Sequence, residues 1–298
     1  MINEILGISP TNDFAYKKVF GSQANDIALI SLLNAILNLP RRIASVTIQN
    51  PFNYQDFYED KLSVLDIKAV DEAGAIYDIE MQIDAHLGLI QRLVFYGCEL
   101  YSGQMRAGDS YSELKPVFAI CLLEGVLWPD SRRVHNAFRL VDQGSGRVLS
   151  DTIEFHILEM GWYNLSVSEQ ANASTLDRWL YWLLHAHEHT EEELMSLFPE
   201  VEFQQATQTL VAIKQITEDK QMYDATEKAR RDRQWALNAK LAEGKIEGKI
   251  EGEIKLIRTL EGLLGRLPME ESQLKTQKLE ELQKIATELQ AQLRSRIS

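Results

Sequence analysis

Ser63-Val64-Leu65-Asp66-Ile67-Lys68-Ala69 and Tyr77-Asp78-Ile79-Glu80-Met81-Gln82-Ile83 read as two short strands. Side chains on a strand alternate between its faces. Leu65 and Ile67 therefore share one face, and Asp66 and Lys68 the other. In the second strand Ile79, Met81 and Ile83 oppose Asp78, Glu80 and Gln82. The intervening Asp71-Glu72-Ala73-Gly74 has the composition of a hairpin turn, with Gly74 supplying a positive φ. Pairing across that turn brings Asp66 near Glu80 on the polar face. Two carboxylates and an amide on one patch of sheet are a natural set of oxygen ligands for a hard divalent cation.

Outward from this hairpin the pattern is that of an α/β domain. Residues 9–39 carry apolar stripes at helical spacing, broken into two helices at Gly21-Ser22 and stopped at Pro40. Ile43 to Gln49 reads as a strand. Downstream, Leu87 to Met105 reads as a long helix. Val117 to Leu123 is an unbroken apolar run of strand length, as expected for a strand covered on both faces. Further strands are expected at Val134 to Val141 and Thr152 to Met160. Helix, sheet, helix, sheet over the first 165 residues predicts a mixed sheet flanked by helices.

From Ser174 onward the pattern is helical. The aromatic stretch Leu176 to Leu184 is expected to pack on the core. A short repeat follows: Glu243-Gly244-Lys245-Ile246, Glu247-Gly248-Lys249-Ile250, Glu251-Gly252-Glu253-Ile254. Glycine costs a helix roughly 1 kcal/mol relative to alanine, so the segment is either a weak helix held by a partner or a hinge. Leu279, Leu282, Ile285, Leu289 and Leu293 then mark an amphipathic helix of coiled-coil type. Homo-oligomerisation through residues 270–298 is expected from it. The alternative is a helix folded back on its own chain.

The chain of 298 residues has the apolar and charged content of an ordinary globular protein. Its two cysteines, Cys98 and Cys121, make no disulfide framework and are expected to be buried thiols. No basic leader and no membrane-length apolar run is visible, so a cytoplasmic location is expected. The net charge of −13 weighs against a nucleic-acid binder, although local potential matters more than the sum. Local basic pairs are Lys17-Lys18, Arg41-Arg42 and Arg132-Arg133. His185-Ala186-His187-Glu188-His189 has zinc-compatible i, i+4 spacing, but spacing alone is a weak signal.

Ser9-Pro10-Thr11-Asn12-Asp13-Phe14-Ala15-Tyr16-Lys17-Lys18-Val19-Phe20-Gly21 resembles the opening of the recombination-promoting nuclease and transposase family of the PD-(D/E)XK nuclease superfamily. Leu29 to Leu37, Asn50-Pro51, Asp60 to Ala69, Ile79-Glu80-Met81-Gln82 and Tyr111 to Val117 resemble that family too, in the same order. The likeness covers residues 9–160, and the Glu-Gly repeat resembles the family's C-terminus. It implies a restriction-endonuclease-like α/β core with a helical C-terminal extension. The expected divisions are a nuclease-like domain (1–165), a helical region packed on it (166–241) and the repeat with its coiled-coil tail (242–298).

The resemblance also implies roles. Asp66 and Glu80 take the places of the superfamily's two acidic metal ligands, and the Met81 carbonyl would join them on Mg2+ or another divalent cation. Gln82 stands where the superfamily more often has lysine. Asp13 matches an acidic position of the first helix and is a further candidate ligand. The implied reaction is metal-assisted hydrolysis of a DNA phosphodiester, with Gln82 orienting the attacking water. Lys68, on the same strand face as Asp66, is the candidate for the missing positive group. Arg92 and Tyr96, one helical turn apart, either reach the phosphate or form a packing pair. Two other readings stand beside an endonuclease. One is a weakly active or inactive nuclease fold that binds DNA or protein as a regulator. The other is a transposase that also joins strands.

Overall fold

All seven residues of Val117–Leu123 are buried, and this strand lies at the centre of a six-stranded mixed sheet. The computed structural model describes residues 4–54, 67–86 and 88–297. The strands are β1 (Val46–Ile48), β2 (Ile67–Asp71), β3 (Ile76–Gln82), β4 (Val117–Leu123), β5 (His135–Phe138) and β6 (Ile153–Glu159). Their order across the sheet is β1-β2-β3-β4-β6-β5. β3, β4 and β6 run parallel, and β1, β2 and β5 add antiparallel edges. The flanked mixed sheet expected from the sequence is therefore present.

The hairpin turn forms as its composition dictates. Gly74 has φ +86°, and the Asp71 carboxylate accepts from the N–H groups of Ala73 and Ala75 (2.9 and 2.8 Å). The part of the first expected strand before Ile67, including Asp66, lies outside the described residues. The expected strand Val134 to Val141 forms only over His135–Phe138.

Helices cover both faces. On one side α1 (Asp13–Phe20), α2 (Asp26–Leu37), α4 (Thr175–His185), α5 (Glu191–Leu197) and α6 (Val201–Gln215) join one core with Tyr77, Ile79, Met81, Phe118, Ile120, Leu122 and Leu158. Aromatic rings fill this layer, with Trp179 stacked on Phe203 at 4.0 Å between centroids. On the other side α3 (Leu89–Ser102) turns Leu89 and Leu93 onto Ala119, Cys121, Leu123 and Ile157. Gly97 lets α3 sit close. A Cβ there would stand 2.8 Å from the Phe155 ring. α3 ends at Ser102, short of the expected Met105; the Gly103 N–H still bonds back to Glu99, and the chain turns at Gly103 and Gln104. Cys121 is buried, but Cys98 is exposed, correcting the expectation for it. It lies one residue off the Leu89–Leu93–Gly97 line that faces the sheet.

The opening motif has a structural task. Asn12 caps α1 by accepting from the Phe14 and Ala15 N–H groups (3.0 and 3.2 Å). It also donates to Glu227 (2.9 Å) and accepts from Thr226 (3.0 Å), both on α7 (Thr217–Leu264). Ser9 N–H donates to the Tyr223 hydroxyl at 2.9 Å. Lys18 pairs with fully buried Asp219 and lies against the rings of Phe14, Phe52 and Tyr54. Lys17 is buried as well. This basic pair is therefore committed to the fold.

The chain divides into two compact units, Met1–Glu227 and Lys228–Ser298. In the second, α7 stays helical through Gly244, Gly248 and Gly252. Its Ile254, Ile257, Leu260 and Leu264 form one apolar cluster with Leu274 of α8 (Glu271–Lys275) and Leu282, Ala286 and Leu289 of α9 (Leu279–Ile297). Of the repeat, Ile250 and Ile254 join this packing, whereas residues 241–249 are exposed. No helix among the described residues is long and apolar enough to cross a membrane.

Candidate active site

β3 alternates as its sequence demands. Tyr77, Ile79 and Met81 enter the large core, so Asp78, Glu80 and Gln82 lie on the face covered by α3. The parallel register sets Asp78 beside Ala119, Glu80 beside Cys121 and Gln82 beside Leu123. Glu80 thus sits deep, 2% exposed, between the strand and the helix.

Arg92, on the first turn of α3, donates from Nη2 to Glu80 Oε2 at 3.0 Å. Gln82 Nε2 lies 3.5 Å from the same oxygen. Glu80 Oε1 is buried and has no hydrogen-bond partner among the described residues. Burial pushes the Glu80 carboxyl above the ordinary carboxylate range, and the Arg92 charge and hydrogen bond pull the other way. One oxygen of this buried carboxylate thus keeps its acceptor capacity unused among the described residues.

β2 and β3 pair Ile67 with Ile79 and Lys68 with Asp78. Directly opposed residues of an antiparallel pair point to the same side, so Lys68 shares the face of Asp78 and Glu80. Lys68 also lines a groove of about 600 Å3 with Gln49, Tyr96 and Gln104. Asp78 is fully buried. Alternation places it on this face, but not at that depth. The depth comes from α3, which a strand pattern does not reveal.

The remaining sequence candidates are placed as follows. Met81 is buried in the core on the opposite side of β3. Asp13 opens α1, whose neighbouring residues join that same opposite core, so its helix is not on the Glu80 face. Asp66 lies outside the described residues. Of Arg92 and Tyr96, Arg92 reaches Glu80, whereas Tyr96 lines the groove. The histidines at 185–189 do not stand on one helix face. His185 meets Glu188 at 3.1 Å, His189 meets the Tyr181 hydroxyl at 2.9 Å, and α4 ends at His185. Among the described residues no group of three or more metal-binding side chains is assembled.

The family model for the PD-(D/E)XK nuclease family transposases matches residues 10–240. The chain belongs to this family. No curated protein and no solved structure matches it. The matched span contains the whole sheet, α3 and the opening motif from Pro10 onward, and stops before the Glu-Gly repeat. The six-stranded mixed sheet with flanking helices agrees with the α/β fold of PD-(D/E)XK nucleases. Membership supports a nuclease- or transposase-related function for the chain.

Proposed function

We propose that this PD-(D/E)XK family member is a metal-dependent DNA endonuclease, hydrolysing phosphodiester bonds in recombination or at mobile elements. The observation that carries the reading is Glu80: a buried carboxylate on the family's strand hairpin with one oxygen bare. Asp66 directly precedes Ile67, the partner of Ile79, and Glu80 directly follows Ile79. Asp66, Glu80 and the Met81 carbonyl would hold Mg2+ or a similar ion. Asp13 is a weaker candidate, because α1 packs on the other face. A divalent cation supplies Lewis-acid polarisation of a phosphate oxygen and lowers the pKa of water.

The chain's own groups do the rest. Gln82, beside Glu80, is placed to orient the attacking water, and Lys68 contributes positive charge on the same face. α3 covers the site and keeps bulk water from Glu80. Purified protein should nick supercoiled DNA with Mg2+ and not in chelator. Metal-independent cutting would reject the proposal.

One observation favours the regulatory reading. Gln82 carries no charge, and the guanidinium in contact with Glu80 is committed to that carboxylate. DNA binding without metal-stimulated cutting would support it. Homo-oligomerisation through residues 270–298 is also a proposal. Leu282, Ala286 and Leu289 are already covered by α7 of the same chain. The solution mass with and without the tail decides it.

A further inference from the structure

We infer that Arg92 is the phosphate-binding group of this site, held in reserve by Glu80 until a divalent cation takes that carboxylate. The inference rests on the endonuclease reading above. It adds Arg92 to Lys68 as a second positive group where Gln82 carries no charge.

Three observations converge on Arg92. It is the cation in direct contact with Glu80 among the described residues, at 3.0 Å. Its side chain is 37% exposed while that of Glu80 is 3% exposed, so the guanidinium bridges the buried carboxylate and the solvent from which a nucleic-acid strand would approach. Its Nε is buried and has no hydrogen-bond partner among the described residues, so the fork is not fully used by the pair. The other candidates are engaged differently. Lys18 is paired with Asp219, and Lys68 stands opposite Asp78 and lines the neighbouring groove.

The physical argument is one of charge replacement. A buried carboxylate needs a positive partner. Arg92 supplies it while no cation is bound. Once Glu80 ligates a divalent ion, the guanidinium is redundant there and is repelled by the new charge. A planar fork of N–H donors at the rim of the site then matches two oxygens of a backbone phosphate. Arg92 and the cation thus compete for Glu80 yet cooperate on the substrate. A merely structural ion pair predicts no such opposition.

The test uses the full-length protein and its Arg92→Gln and Arg92→Lys variants, with folding checked by thermal melts. Binding of Mg2+ alone is measured by calorimetry at about pH 8, and nicking of supercoiled DNA is measured separately. Arg92→Gln is expected to bind Mg2+ roughly three- to tenfold more tightly and to nick about a hundredfold more slowly. Arg92→Lys, which keeps the charge and loses the fork, is expected to retain wild-type Mg2+ affinity and recover part of the cleavage. Unchanged or weaker Mg2+ binding in folded Arg92→Gln overturns the inference, as does undiminished cleavage. If Arg92→Gln does not fold, full wild-type cleavage by Arg92→Lys overturns it. A wild-type protein that neither binds Mg2+ nor nicks DNA removes the endonuclease reading itself. A wild type that does both, with Arg92→Gln indistinguishable from it, removes only the role of Arg92.

Discussion

Ile67 and Ile79 are register partners in the β2–β3 hairpin, and both are fully buried in the core beneath the sheet. This pair anchors the face assignment of everything beside it. With Ile79 inward, Asp78 and Glu80 must point to the α3 side. A one-residue slip would exchange the carboxylates for the isoleucines, which would bury charge in an aromatic core.

Glu80→Gln should keep the fold and lose the chemistry. The amide preserves volume and removes a buried charge, at the expense of Arg92's partner. We expect a melting temperature within a few degrees of the wild type and a loss of Mg2+-dependent nicking of more than about a hundredfold. A denaturation curve and a plasmid assay on the same preparation check both. A fully active Glu80→Gln would exclude a ligand role.

Lys18→Met should destabilise strongly. Asp219 is fully buried and Lys18 is its ion-pair partner, so removing the lysine leaves, among the described residues, a carboxylate supported by the Tyr54 hydroxyl (2.7 Å) alone. The expected cost is about 3–5 kcal/mol. Lys18→Met combined with Asp219→Asn should recover much of it. Urea denaturation of the single and double variants reads this coupling. Additive losses would contradict the pairing.

Stability should fall on acidification through His156. Its pKa is lowered to about 4, chiefly by burial and then by His135 and Arg139. His135, whose Nε2 lies 2.9 Å from His156 Nδ1, is lowered as well, by burial and Arg133. Glu154 lies 3.4 Å from His156 Nε2, but its charge is engaged by Arg139 at 2.9 Å, so burial prevails. The unfolded chain therefore binds more protons than the native one between pH 6.5 and about 4. The stabilisation is complete above the unfolded pKa and is lost as pH falls toward the folded one. For His156 alone it reaches about 3 kcal/mol. His156→Gln should flatten the pH dependence of urea midpoints across that window. An unchanged slope would contradict the assignment.

Two kinds of glycine should respond oppositely to alanine. At Gly97 a Cβ meets Phe155 at 2.8 Å, so Gly97→Ala should cost about 1–3 kcal/mol and push α3 away from Glu80. At Gly244, Gly248 and Gly252 a Cβ meets nothing within 4 Å. Alanine there should add about 1 kcal/mol each to helix stability. Circular-dichroism melts distinguish the two. Destabilisation by the second set would reveal a contact beyond this chain.

Much of this was legible in local periodicity. Strand alternation placed Glu80 and Gln82 on one face, Gly74 marked the turn, and the unbroken apolar run of Val117–Leu123 marked the doubly covered central strand. Contacts between distant elements were not legible. Nothing in the spacing of Arg92 distinguished a salt bridge to Glu80 from a packing pair. The bonds from Asn12 and Lys18 to α7 span about two hundred residues. Cys98 was misjudged as buried because a helical pattern alone does not fix which line faces the sheet. The glycine repeat reads as either a hinge or a weak helix; it is helical, with Ile250 and Ile254 in the apolar cluster and Ile246 exposed.

Asp66 and Glu80 are proposed to share one divalent cation that is needed to cut DNA. The direct measurement is nicking of supercoiled DNA by purified full-length protein with Mg2+ or with chelator, for the wild type, Asp66→Ala and Glu80→Ala. Nicking is expected from the wild type with Mg2+ alone, and none from either folded variant. Full activity in either variant, or equal cutting by the wild type in chelator, would contradict it.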